Sequence, residues 1–84
     1  MKHTYEVTMK WYKTEENPDN IVNNGYDFIE IHKTYKITVN DKYDELMPHQ
    51  LRHEALQKAT IKARKDSGYN NLTIPRNLVG IVKV

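Results

Sequence analysis

His49 and His53 form the pattern in this chain closest to known chemistry. Four apart on a helix, two imidazoles share one side, which is the spacing of zinc-binding helices. The metalloprotease version needs a glutamate directly after the first histidine, to serve as base. Here the run is His49-Gln50-Leu51-Arg52-His53, so that base is missing and a cation, Arg52, stands beside the pair. His3 and His32 are distant in sequence, and no spacing brings them in. The carboxylate pairs Glu15-Glu16 and Asp44-Glu45 offer acid–base groups. The first falls in a loop-like segment; the second precedes a helix, where negative charge complements the dipole without any catalytic role. A nucleophile needs an oriented base beside it. The one serine, Ser67, adjoins a helix-ending glycine, there is no cysteine, and the three glycines are isolated rather than gathered into a phosphate loop. These residues predict no catalytic site, no metal and no cofactor.

Two other sets of residues suit binding. Lys58, Lys62 and Lys65 recur at helical spacing and fall on one side, with Arg64 next to them. Such a stripe can meet phosphates or an acidic protein surface. Charge is uneven along the chain. Residues 1–50 carry six Lys against nine Asp/Glu, or −3, and residues 51–84 carry seven Lys/Arg against two Asp/Glu, or +5, for the net +2. The second set is Tyr12, Tyr26 and Phe28, with Lys10, His32 and Lys36 of the same parity. Exposed aromatics among cations stack nucleic-acid bases or form protein hot spots.

The elements that must position these residues follow from hydrophobic period. In residues 4–13, Tyr5, Val7, Met9 and Trp11 alternate with Thr4, Glu6, Thr8 and Lys10, which predicts a half-buried strand. Asn, Asp, Pro and Gly then gather in a long loop that carries Ile21 and Val22, left either tucked against the core or exposed. Residues 26–39 alternate again: Ile29, Ile31, Tyr35, Ile37 and Val39 share a parity that only Lys33 breaks, so Lys33 marks a bend, a bulge or the exposed end of the pairing. A helix is predicted from about Pro48 to Asp66, stopped by Gly68. Its core arc is Leu51, Ala55, Leu56, Ala59 and Ala63, small enough for close approach to a sheet, with Ile61 off the arc. The terminal Leu78-Val79-Gly80-Ile81-Val82-Lys83-Val84 reads as a third strand.

The order is therefore β-β-α-β in one domain, residues 1–84. A right-handed crossover sets strand three beside strand one, giving an α+β fold with spatial order 2-1-3. One helix packs on one sheet face and the other face is left open. No apolar run approaches the roughly 20 residues that span a bilayer, and no secretory apolar segment opens the chain. With no cysteine, this fits a cytoplasmic setting. Lys, Asn, Ile and Tyr are abundant, at ten, eight, seven and six residues. Their codons are A/T-rich, which suggests a bacterial or phage genome.

In size and layout the whole chain resembles the small host-takeover proteins of bacteriophages. Several of those are compact sheet-plus-helix modules without catalytic residues, and some bind host RNA polymerase. The resemblance implies a non-catalytic module that binds and modulates or inhibits a host machine, with RNA polymerase as the first expectation. Two further readings stay open. One is direct nucleic-acid binding through the basic helix and the sheet aromatics. The other is a structural homodimer in which open sheets meet.

Overall fold

The computed structural model describes residues 1–84. Its elements are β1 (Lys2–Glu16), β2 (Tyr26–Asn40), α1 (Pro48–Ser67) and β3 (Leu78–Lys83). The sheet has the order β2-β1-β3, and both neighbours run antiparallel to β1. This is the α+β layout that the period changes imply: one helix, three strands and an open sheet.

β1 and β2 pair without interruption from Lys2 opposite Asn40 to Glu16 opposite Tyr26. The register places Tyr5, Val7, Met9 and Trp11 opposite Ile37, Tyr35, Lys33 and Ile31 on one face. That face takes the helix. Tyr5, Val7, Met9, Trp11, Tyr35, Ile37 and Val39 form the core with Leu51, Ala55, Ala59, Ala63 and Leu72. Three alanines in the helix arc let its backbone come close to the larger side chains of the sheet.

Pro48 opens α1, and Gly68 ends it in the left-handed conformation at φ 77, its N–H donating to the Arg64 carbonyl at 3.0 Å. Residues 43–47 do not extend the helix: Met47 is extended, and its N–H donates to Gln50 Oε1 at 2.8 Å. No acidic residue lies in the first turn of the helix, and Asp41 acts ahead of it. Asp41 is buried, and its carboxylate accepts the N–H groups of Glu45 and Leu46 at 3.1 and 3.0 Å, shaping the lead-in loop.

Lys33 does not bend or bulge β2. It lies on the helix face, where its Nζ reaches Asp66 Oδ2 at 2.7 Å. Beyond that pair the helix stops but the hairpin continues. A 20-residue helix is about 30 Å long and a 15-residue strand about 50 Å. The distal hairpin therefore projects as an arm, and the molecule measures 57 × 21 × 17 Å.

β3 is apolar on both parities, yet it occupies a sheet edge rather than the interior. Leu78 and Ile81 pack against the core, while Val79 and Val82 are exposed. No helix is long and apolar enough to cross a membrane.

Candidate functional site

The open face of the sheet is built by the even-numbered residues of the hairpin. Across it run the pairs Thr4–Thr38, Glu6–Lys36, Thr8–Thr34, Lys10–His32, Tyr12–Glu30, Thr14–Phe28 and Glu16–Tyr26. Near the fold's centre this face is polar and laced across: the Thr4 and Thr38 hydroxyls lie 3.2 Å apart, and those of Thr8 and Thr34 2.7 Å apart. Towards the arm it becomes aromatic. Tyr12, Tyr26 and Phe28 sit there 53%, 44% and 62% exposed, without a covering element. Tyr12 and Phe28 are diagonal neighbours across the two strands, close enough for one ligand to touch both. Period two alone thus located these three aromatics correctly.

Glu30 gathers polar groups of this face around its carboxylate. Lys10 Nζ lies 3.8 Å from its Oε1, His32 Nε2 lies 3.4 Å from its Oε2, and the Tyr12 hydroxyl donates to Oε1 at 3.4 Å. Lys36 stands opposite Glu6. The aromatics are therefore set among balanced charges rather than along a bare basic track. At the β3 edge Val82, opposite Glu6, adds an exposed apolar side chain to the same face. Parity arguments missed it because the final strand is apolar on both sides.

The basic helix residues lie elsewhere and do not act as one group. Lys58 and Lys62 flank the helix beside the β2 edge, where they line a shallow cleft with Ile61, Lys36, Ile37 and Thr38. Neither they nor Lys65 forms an ion pair. Arg64 turns away and straps the loop after the helix, its Nε donating to the Leu72 carbonyl at 2.9 Å. It also lines an open groove of about 690 Å³ with His53, Leu56, Thr60, Thr73 and Ile74. The lysine stripe and the aromatic face thus belong to different sides of the molecule.

The tip of the arm is tied by side-chain hydrogen bonds. Asp27 accepts from Asn20 Nδ2 at 2.6 Å and from Asn17 Nδ2 at 2.8 Å, and these bonds hold its carboxyl below the ordinary range. Asn24 and Gly25 take left-handed backbone to close the loop, with φ 55 and 83. Ile21 and Val22, whose position the sequence left open, stand 86% and 91% exposed at this tip.

His49 and His53 are exposed and line a shallow cleft with Glu54. The ligand-type atoms that come within 4.8 Å of one another are instead those of His3, Asp41 and Asp44. The register of Lys2 opposite Asn40 creates that cluster, which no local spacing announces. Asp41 is already engaged there. Burial pushes its carboxyl up, but the Leu46 and Glu45 N–H groups outweigh that and keep it below its ordinary value. The His3 Nε2 is buried and makes no hydrogen bond.

Fold and face together define a class: an α+β domain whose sheet is covered on one side and carries an aromatic arm. Set against known protein families, curated proteins and solved structures, the chain matches none.

Proposed function

We propose that this protein is a non-catalytic binding module that grips another protein through the open face of its sheet. The observation that carries this reading is the uncovered trio Tyr12, Tyr26 and Phe28 on a projecting, hydrogen-bonded arm. Aromatics held on a rigid strand give large contact area at small entropic cost, the property of interface hot spots. The charges around them favour a protein over a nucleic acid. Lys10 and His32 already face Glu30, so a polyanion would have to displace a carboxylate. The layout resemblance to phage host-takeover proteins supports a host machine as target, with RNA polymerase first to be tried, and modulation or inhibition as the effect.

The test compares the parent with the variant Tyr12→Ser/Phe28→Ser, each immobilised and exposed to purified bacterial RNA polymerase and to bacterial lysate. The reading expects a protein retained by the parent and lost by the variant. Equal retention by both, or none by either, contradicts it. Retention of a different protein in place of the polymerase removes the named target and keeps the contact surface.

A second reading rests on Lys58, Lys62 and Lys65, which have no acidic partner. If they bind phosphates, nucleic-acid affinity falls steeply with salt. A gel shift at low salt with single- and double-stranded probes decides it, and no shift at micromolar protein removes it.

A further inference from the structure

β2 is a sheet edge along its entire length, and the ladder shows which of its groups are free. Asn17 N–H donates to Gly25 O within the hairpin, whereas Lys10 N–H donates to Asn77 O and Val84 N–H to Thr4 O on the far side of β1. Odd-numbered residues of β1 therefore exchange bonds with β2, and even-numbered ones face β3. By the same alternation, the even-numbered residues of β2 turn their N–H and C=O groups outward. Those of Tyr26 are satisfied locally, by the Asn23 carbonyl and the Asn20 side chain. From Phe28 to Asn40 the outward groups have no hydrogen-bond partner, no proline or bulge interrupts them, and no further strand pairs with them. Edges this long are normally guarded, often by an inward-pointing lysine. Lys33 is such a residue, but Asp66 holds it at 2.7 Å and neutralises it.

We propose that β2 pairs antiparallel with β2 of a second copy, about a two-fold axis at Lys33, making one continuous sheet with both helices on the same face. This stands apart from the open-face reading, because the contact is made by backbone at the edge. Lys33 is the centre of the strand Tyr26–Asn40, so this register uses every free outward group from Phe28 to Thr38. It sets Glu30 opposite Lys36, His32 opposite Thr34 and Phe28 opposite Thr38, each twice by symmetry. An axis at Thr34 would instead oppose Lys36 to His32, and an axis at His32 would oppose that residue to itself. The two Lys33 side chains meet at the axis as two Lys33–Asp66 ion pairs, not as bare cations.

The helix face fits the same register. Ile29 falls opposite Ile37 of the second copy, and Ile31 opposite its Tyr35. Both isoleucines are half-buried, and Ile31 already packs against the core of its own chain. Ile61, 63% exposed on the helix flank beside Ile37, is placed to cover them from the second copy. Tyr26 falls opposite Asn40, which brings the tip with Ile21 and Val22 alongside the second copy's residues 41–47. Tyr43 and Met47 are exposed there. The exposed Ile61, Ile21, Val22, Tyr43 and Met47 thus each come beside apolar groups of the second copy.

The charge pair gives the decisive experiment, read by sedimentation equilibrium over a concentration series. The parent is expected to dimerise. Glu30→Lys alone and Lys36→Glu alone each set like charges opposite one another twice, so each dissociation constant rises at least about tenfold. An equimolar mixture of the two variants restores complementarity at both contacts, and it is expected to dimerise like the parent. His32→Pro removes an outward N–H that has no bond within the chain; it should give a monomer whose melting temperature stays near that of the monomeric parent. Tyr12→Ser, on the open face of β1, should leave the dimer intact. A parent that is still monomeric at about 1 mM, a mixture no more dimeric than its components, or a dimer that survives His32→Pro overturns the proposal. Loss of the dimer in Tyr12→Ser assigns it to stacked open faces and overturns it equally.

Discussion

The Lys33 ammonium and the Asp66 carboxylate meet at 2.7 Å and fasten the end of the helix to the middle of the second strand. The same Asp66 Oδ2 accepts the Tyr35 hydroxyl at 2.7 Å, and the Lys33 Nζ lies 5.6 Å from the Tyr35 ring centre. The three residues mark where the helix ends, one pair short of Trp11 and Ile31, the last core pair before the arm.

Acid should weaken this clasp. Hydrogen bonds from Lys33 and then Tyr35 hold Asp66 below its ordinary value of 3.8. A depressed carboxyl contributes stability that is complete above its unfolded value and is lost as pH falls through the lower native one. Thermal melts from neutral pH downward should therefore show a loss that begins near 3.8. Asp66→Asn should be less stable at neutral pH and have a shallower acid limb. An unchanged acid limb in that variant would refute the assignment.

Alkali acts on the other partner. Burial first, and then the bond to Asp66 and its charge, raise the Tyr35 hydroxyl above its ordinary 10.0. Its contribution to stability is complete below 10.0 and declines as pH rises beyond it, because the unfolded chain ionises first. Tyrosinate absorbance followed with pH should show one tyrosine ionising only with unfolding, and Tyr35→Phe should remove that late step.

Met9 is fully buried between the sheet and the helix. Met9→Ala should cost about 2–5 kcal/mol in urea unfolding. Val22→Ala at the exposed tip should change stability by less than about 0.5 kcal/mol. Similar losses for the two would place the core elsewhere.

Gly68 is left-handed, and an added Cβ would meet nothing within 4 Å. Gly68→Ala should therefore cost only the backbone term, about 1–2 kcal/mol, measurable by thermal unfolding. A neutral result would mean that the helix does not end there.

Local period made most of this fold legible. Alternation placed the two long strands, and the alanine arc with Gly68 placed the helix to within a residue or two. It also put Tyr12, Tyr26 and Phe28 on the open face. What it left out depends on distant residues. Lys33 looked like a break because its partner, Asp66, lies 33 residues away. The strand extension from Thr14 to Glu16 is polar and uncovered, so no burial pattern announced it. Arg64 looked like one of the lysines until the Leu72 carbonyl claimed it. The free edge of β2 emerges only once the strand order is known.

On the function proposed above, the open face of the arm is the surface by which this protein holds a protein partner. The most direct measurement is photo-crosslinking in bacterial lysate from benzoylphenylalanine installed at position 28 on the open face, and separately at position 53 on the solvent side of the helix. The account expects one dominant protein adduct from position 28, suppressed by excess unlabelled parent, and none from position 53. Adducts from position 53 alone, or none from either, would contradict it.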